Sequence, residues 1–91
     1  MHLVYIIKSL KRDLLYIGYT NNIEKRLQEH NNGDSFTTSK YKPWTLVYLE
    51  GYLSEEDAKH REKMIKQFGK VYSQLKRRIA KSINCAEKVR G

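Results

Sequence analysis

The sequence predicts an α+β domain: a small three-stranded sheet flanked by helices, in the order ββαβαα. Three observations carry this prediction. Two apolar runs, Leu3–Ile7 and Leu15–Thr20, flank a short polar segment, which is the pattern of a β-hairpin. Trp44–Tyr52 follows Pro43 and alternates like a third strand. Behind capping residues, apolar side chains recur at helical spacing.

Each element has its own justification. The two runs carry one tyrosine each, Tyr5 and Tyr16, and Lys8 to Asp13 joins them. A hairpin centred between Leu10 and Lys11 sets Tyr5 directly opposite Tyr16. Side chains alternate between faces, so the two phenols share one face. They are read either as cross-strand packing or as the floor of an active site. Asn21 or Asn22 caps a first helix from about Ile23 to Asn31, which stops at Asn32-Gly33-Asp34. Ser35 to Pro43 is a polar, basic loop. In the third strand, Leu46, Tyr48 and Glu50 are expected on one face, Val47 and Leu49 on the other. Ser54 caps a second helix, with Glu55, Glu56 and Asp57 complementing its dipole, that ends near Gly69. A third helix spans roughly Tyr72 to Ile83, with Tyr72, Leu75, Ile79 and Ile83 along one side. Residues 1–83 form one domain on this reading, and Asn84 to Gly91 is a polar, disordered tail.

The 91 residues suit a single domain with a modest core. One cysteine, Cys85, cannot form an internal disulfide, which fits a reducing compartment. No basic-then-apolar leader follows Met1, and Leu3–Ile7 is too short to span a bilayer. A cytoplasmic protein that does not enter membranes is expected. The net charge is +8, with +1 in residues 1–34 and +7 in residues 35–91. This asymmetry points to a polyanionic partner, most simply nucleic acid; the competing reading is solubility alone. Lys40, Lys42, Lys63, Lys66 and Lys70 are candidates to track a phosphate backbone. Trp44 begins a strand and is expected to pack rather than to stack on a base.

Polar residues also stand where a core is expected. On the first helix, Ile23 and Leu27 mark the buried stripe, and Arg26 and His30 flank it four residues apart. Each has a structural reading: Arg26 lays its stem over the core, and His30 caps the helix end. Glu62 borders the stripe of the second helix between Ala58 and Ile65. It is read as an i,i+4 ion pair with Lys66 or as a lone carboxylate holding a divalent cation. His2, His30, His60 and Cys85 show no zinc-site spacing, and there is no glycine-rich phosphate loop or nucleophile elbow.

Together these residues resemble the GIY-YIG nuclease family, and look most like its small stand-alone bacterial members. Leu3-Val4-Tyr5 stands at the first motif, with Leu3 in place of its glycine, and Tyr16-Ile17-Gly18 matches the second letter for letter. Asn22 to Leu27 looks like the helix carrying the family's essential arginine, here Arg26, and His30 stands where members carry a histidine or tyrosine. Ala58 to Glu62 looks like the segment with the metal-binding glutamate. Pro43 to Tyr48 is similar to the third-strand segment of the stand-alone group.

The resemblance implies a metal-dependent endonuclease hydrolysing DNA phosphodiester bonds. It gives Tyr5 the role of general base, Arg26 the scissile phosphate, and Glu62 one Mg²⁺ or Mn²⁺ ion. Tyr16 and His30 would hydrogen-bond water, phosphate or Tyr5, and Gly18 would let the backbone approach closely. The alternative is a nucleic-acid-binding module that keeps the fold without cleaving. Branched DNA or RNA are further candidate substrates, and the candidate partners are an accessory protein or, for a double-strand cut, a second copy of the chain in a homodimer.

Overall fold

Alternation along the first strand decides how the molecule is layered. In the computed structural model, which describes residues 1–89, this strand is β1 (His2–Ser9). It lies at the centre of an antiparallel sheet between β2 (Leu15–Thr20) and β3 (Trp44–Tyr52). A central strand has both faces covered, and residues Val4 to Ser9 are all buried.

Val4 and Ile6 enter one apolar core with Ile17, Ala58, Ile65, Leu75 and Ile79. Tyr5 and Ile7 enter a second with Trp44, against which Tyr16, Ile23, Leu27, Tyr41 and Leu46 pack. The first core is closed by three helices: α2 (Glu55–Gln67), α3 (Gly69–Arg78) and α4 (Ala80–Val89). The second lies under α1 (Ile23–Asn32). Each fully buried Val, Leu or Ile contributes about 1.5–3 kcal/mol, so the helices are held mainly by these contacts.

The caps follow the residue types. Asn22 accepts from the Lys25 N–H at 3.1 Å, and Gly33 ends α1 with φ 80°, a conformation that favours glycine. Ser54 accepts from the Asp57 N–H at the start of α2. Trp44 is buried, as its position at a strand start suggested.

Three local expectations are corrected. Tyr5 pairs with Gly18, and Tyr16 with Ile7, so the register is displaced by two residues from the expected one. Ser9 is the reason. Its N–H donates to the Leu14 carbonyl, and its buried hydroxyl accepts from the N–H groups of Lys11 and Arg12 while donating to the Tyr41 carbonyl. This closes the turn around Leu10–Asp13. A shift of two keeps every side chain on its face and changes only its partner.

The second correction is in β3. Ile6 pairs with Tyr48 and Ile7 with Leu46, leaving Val47 as an extra residue in a bulge. Leu46 therefore packs beside Tyr5 and Ile7, whereas Tyr48 packs beside Val4 and Ile6.

The third concerns the end of the chain. The expected helix from Tyr72 to Ile83 is divided at Ile79, so three helices rather than two follow β3. The segment from Asn84, expected as a disordered tail, continues α4 to Val89; Arg90 and Gly91 lie outside the described residues. Ala86 is buried, and Glu87 reaches the buried Lys8 ammonium at 2.8 Å. A buried lysine needs a partner, and the last helix supplies it.

Candidate active site

Three elements converge on the phenol of Tyr5, which is 1% exposed. β1 supplies Tyr5 itself. Directly across the ladder, β2 supplies Gly18. A Cβ at Gly18 would fall 2.4 Å from the Tyr5 hydroxyl oxygen, so the ring occupies the space that a side chain there would take. The close approach enabled by this glycine is that of Tyr5.

α1 supplies Arg26 and His30, one turn apart on one face. His30 Nε2 lies 2.8 Å from Tyr5 Oη, and Arg26 donates through Nε to the same oxygen at 3.3 Å. Arg26 is partly exposed and also pairs through Nη1 with Glu29 at 3.4 Å. His30 is fully buried, so it is neither a surface cap nor a solvated base. Its other nitrogen, Nδ1, lies 2.7 Å from Thr38 Oγ1. Thr38 is a site residue that the sequence did not single out, because loops carry no periodicity. The available signal was the run of hydroxyls, Thr37, Thr38 and Ser39, after a helix bearing a buried histidine.

Tyr16 is on the same face. Its ring centroid is 6.4 Å from that of Tyr5 and 5.1 Å from that of His30. With Thr38, Tyr41, Trp44 and Leu14 it lines an apolar hollow of about 160 Å³. Trp44 donates its indole N–H to the Thr38 carbonyl, and Asn31 brackets the Trp44 backbone, which ties the loop and β3 to α1.

α2 brings Glu62 and Lys66. Lys66 bonds Glu62 Oε2 at 3.0 Å and lies over the Tyr16 ring. Lys40, Lys42, Lys63 and Lys70 are exposed; Lys42 lies beside Gly33, and Lys66 alone of the five candidate lysines has an observed contact with a site residue.

The electrostatics follow from burial. Desolvation pushes the Tyr5 phenol up to about 12; Arg26 opposes this, and Tyr16 and Glu62 add to it. Burial likewise holds His30 down to about 4, assisted by Arg26 and opposed by Glu29. At neutral pH the pair is an uncharged phenol and an uncharged imidazole. Glu62 is close enough for its charge to disfavour the phenolate, so neutralising that carboxylate favours it.

Glu62 Oε1 has no protein partner among the described residues. No group of three or more His, Cys, Asp or Glu side chains gathers among those residues. One open carboxylate oxygen fits a hydrated Mg²⁺ or Mn²⁺ ion and does not fit a multi-ligand cage.

The family described as the GIY-YIG catalytic domain matches residues 1–73. The chain belongs to the GIY-YIG family. Domains of this family are typically nuclease domains that act on nucleic acid, and they generally use a divalent metal. Among similar proteins, a UPF0213 protein of Clostridium perfringens is 43% identical over 68 residues, covering 74% of this chain and 72% of the relative. A UPF0213 protein of Staphylococcus haemolyticus is 43% identical over 70 residues, 76% of this chain and 84% of its own. A UPF0213 protein of Halobacterium salinarum is 37% identical over 71 residues, 77% of this chain and 91% of its own. No solved structure matches the chain. The GIY-YIG match takes in β1, β2, α1, β3 and α2, and with them every residue of the Tyr5 cluster. Among the described residues no helix is long and apolar enough to cross a membrane.

Proposed function

We propose that this GIY-YIG protein is a metal-dependent endonuclease that hydrolyses DNA phosphodiester bonds. The observation that carries the reading is the convergence of His30 and Arg26 on the Tyr5 oxygen within reach of the Glu62 charge. A buried phenol needs one hydrogen-bond partner, and Tyr5 has two, one of them a partly exposed guanidinium.

Tyr5 is the general base. As the phenolate it takes one proton from a water molecule while the water oxygen forms its bond to phosphorus. The bond from phosphorus to the leaving oxygen breaks, and that oxygen takes a proton from solvent, giving a phosphomonoester and an alcohol; the Tyr5 phenol returns its proton to solvent. Arg26 grips the phosphate: its Nε stays on Tyr5, and the weak, half-exposed contact to Glu29 is readily exchanged for phosphate oxygens. Tyr16 and His30 orient Tyr5, and Gly18 gives its ring a fixed seat. Glu62 would hold the ion, through the oxygen not engaged by Lys66. When bound, Mg²⁺ or Mn²⁺ supplies positive charge that favours the phenolate, polarises the phosphate and eases departure of the leaving oxygen. Lys66, Lys63, Lys70, Lys40 and Lys42 supply positive charge for the backbone on either side.

One observation favours a second reading, a binding module without cleavage: Glu62 already has a cation, Lys66, as its partner. The deciding experiment is cleavage of branched, duplex and single-stranded DNA with Mg²⁺ or Mn²⁺ and with EDTA, comparing wild type with Glu62→Ala. Metal-dependent cutting that the variant loses supports the nuclease. Binding without cutting across the whole panel supports the module.

A further inference from the structure

We infer that the apolar hollow beside Tyr16 receives one unpaired nucleobase of the substrate. The inference rests on the nuclease reading for the ligand being DNA, and not on the chemistry of the cut.

The hollow has a buried floor and an open rim. Trp44 and Thr38, at the floor, are 4% and 1% exposed. Leu14 and Thr37 stand at the rim in solvent, with Tyr16 and Tyr41 half-buried between. The floor is tied from several sides. The Trp44 indole N–H donates to the Thr38 carbonyl at 3.0 Å, the Thr38 hydroxyl lies 2.7 Å from His30 Nδ1, and Asn31 bonds both the N–H and the carbonyl of Trp44. A site fixed in this way loses little freedom when it is filled. Its volume of about 160 Å³ is on the scale of a single nucleobase, and a base pair does not fit.

The lining selects what enters. Three aromatic rings dominate it. The Thr38 hydroxyl and carbonyl are already engaged, by His30, Tyr41 N and the Trp44 indole. A sugar or phosphate placed there would give up water without gaining partners. A heteroaromatic base offers a flat face, and stacking on rings is tolerant of which base it is.

Position and charge point to a base that is attached to a strand. Tyr16 belongs to the hollow and to the candidate site, with its ring 6.4 Å from that of Tyr5. A base in the hollow is therefore one ring away from the phenol. The Lys66 ammonium lies 5.9 Å from the centre of the Tyr16 ring, and Lys40 and Lys42 flank Tyr41 in the chain. These cations complement the phosphates of a strand passing over the rim. Within an intact duplex a base is stacked on both faces and paired at its edge, so only an unpaired or extruded nucleotide can enter. The substrate class is thus DNA whose pairing is interrupted next to the cut.

The test is binding of fluorescein-labelled DNA to the full-length protein in EDTA, read by anisotropy. Three oligonucleotides share one sequence: an intact duplex, a duplex with one bulged thymidine, and a duplex with one bulged abasic site. The abasic bulge keeps the bend and the phosphate and lacks only the base. Wild type should bind the thymidine bulge about five- to a hundredfold more tightly than the abasic one. Leu14→Ala and Tyr41→Ala should each reduce that ratio. Tyr41 holds Ser9 through its backbone carbonyl, which the substitution keeps, and Leu14 is at the exposed rim, so that at least one variant folds by circular dichroism. Equal affinity for the two bulges in wild type overturns the inference, as does an unchanged ratio in a folded variant of each residue. A DNA-free dimer, seen by light scattering and dispersed by Leu14→Ala, assigns the hollow to a second copy of the chain and also overturns it. Binding to none of the three DNAs overturns the inference and the nuclease reading together. The expected ratio in a protein that cuts nothing with Mg²⁺ or Mn²⁺ upholds the hollow and overturns the nuclease reading alone.

Discussion

Two polar clusters lie on opposite faces of the sheet, and each joins tyrosines to an arginine. On the α2 side, Glu50 accepts from Tyr48 and Tyr52, and Arg61 donates to it through Nε at 2.7 Å. On the α1 side, Tyr5 meets His30 and Arg26. In the first cluster the anion is the shared acceptor; in the second, the anion that pairs with Arg26, Glu29, stands apart from Tyr5. Burial acts to raise the Glu50 carboxyl, but its three donors outweigh burial and hold it below the usual range. Burial wins at Tyr5, whose phenol stays neutral. A carboxylate surrounded by its own donors is finished and pins β3 to α2. A neutral phenol with an imidazole and a guanidinium on its oxygen holds no anion at its centre. Polar burial alone does not separate the two clusters; the charge at the centre does.

The largest effect that would test this contrast is on chemistry. Tyr5→Phe keeps the ring over Gly18 and removes the oxygen. Cleavage should fall by about two to four orders of magnitude, with an unchanged circular dichroism spectrum. A folded Tyr5→Phe protein that still cuts would remove Tyr5 as the base and dissolve the contrast.

The opposite cluster should respond in stability. Glu50→Gln leaves Arg61 without its charge partner and should cost about 1–3 kcal/mol, read from urea midpoints, while the cleavage rate at low temperature stays near wild type. A rate loss greater than the unfolded fraction explains would mean that both clusters serve catalysis.

A smaller effect should appear with pH. The folded protein protonates His30 near pH 4, whereas the unfolded chain does so near 6.5. The folded value is the lower one, so the stability held by neutral His30 is complete above about pH 6.5 and is lost progressively as pH falls towards 4. Denaturant midpoints at pH 7 and pH 5 should separate more in wild type than in His30→Gln. Equal separations would place the pH dependence elsewhere.

The two clusters also differ in how far the sequence foretold them. Helical spacing placed Arg26 and His30 beside the stripe of Ile23 and Leu27, and strand alternation placed Tyr5 and Tyr16 on one face. These are short-range periodicities, and they survive folding. The rest depends on contacts between distant residues. Ser9 sets the hairpin register by reaching the Tyr41 carbonyl. The Val47 bulge sends Leu46 to the α1 side, while Tyr48 and Glu50 keep one face together as alternation predicted. The division at Ile79 has no glycine or proline to announce it. The last turns of α4 are ordered by Lys8, from the first strand. Thr38 is placed by Trp44 and Ser35, neither of which is a neighbour in any repeating pattern.

The empty position at Gly18 has a consequence for anyone who would move this chemistry elsewhere. The tyrosine of the first motif and the glycine of the second behave as a key and its notch, thirteen residues apart along the chain and face to face across one rung of the ladder. A graft that carried the phenol, the guanidinium and the imidazole onto another antiparallel sheet, but kept a side chain on the opposing rung, would lift the ring off its seat and carry the oxygen out of register with both nitrogens. The smallest transplantable unit of this site therefore includes a residue with no functional group at all.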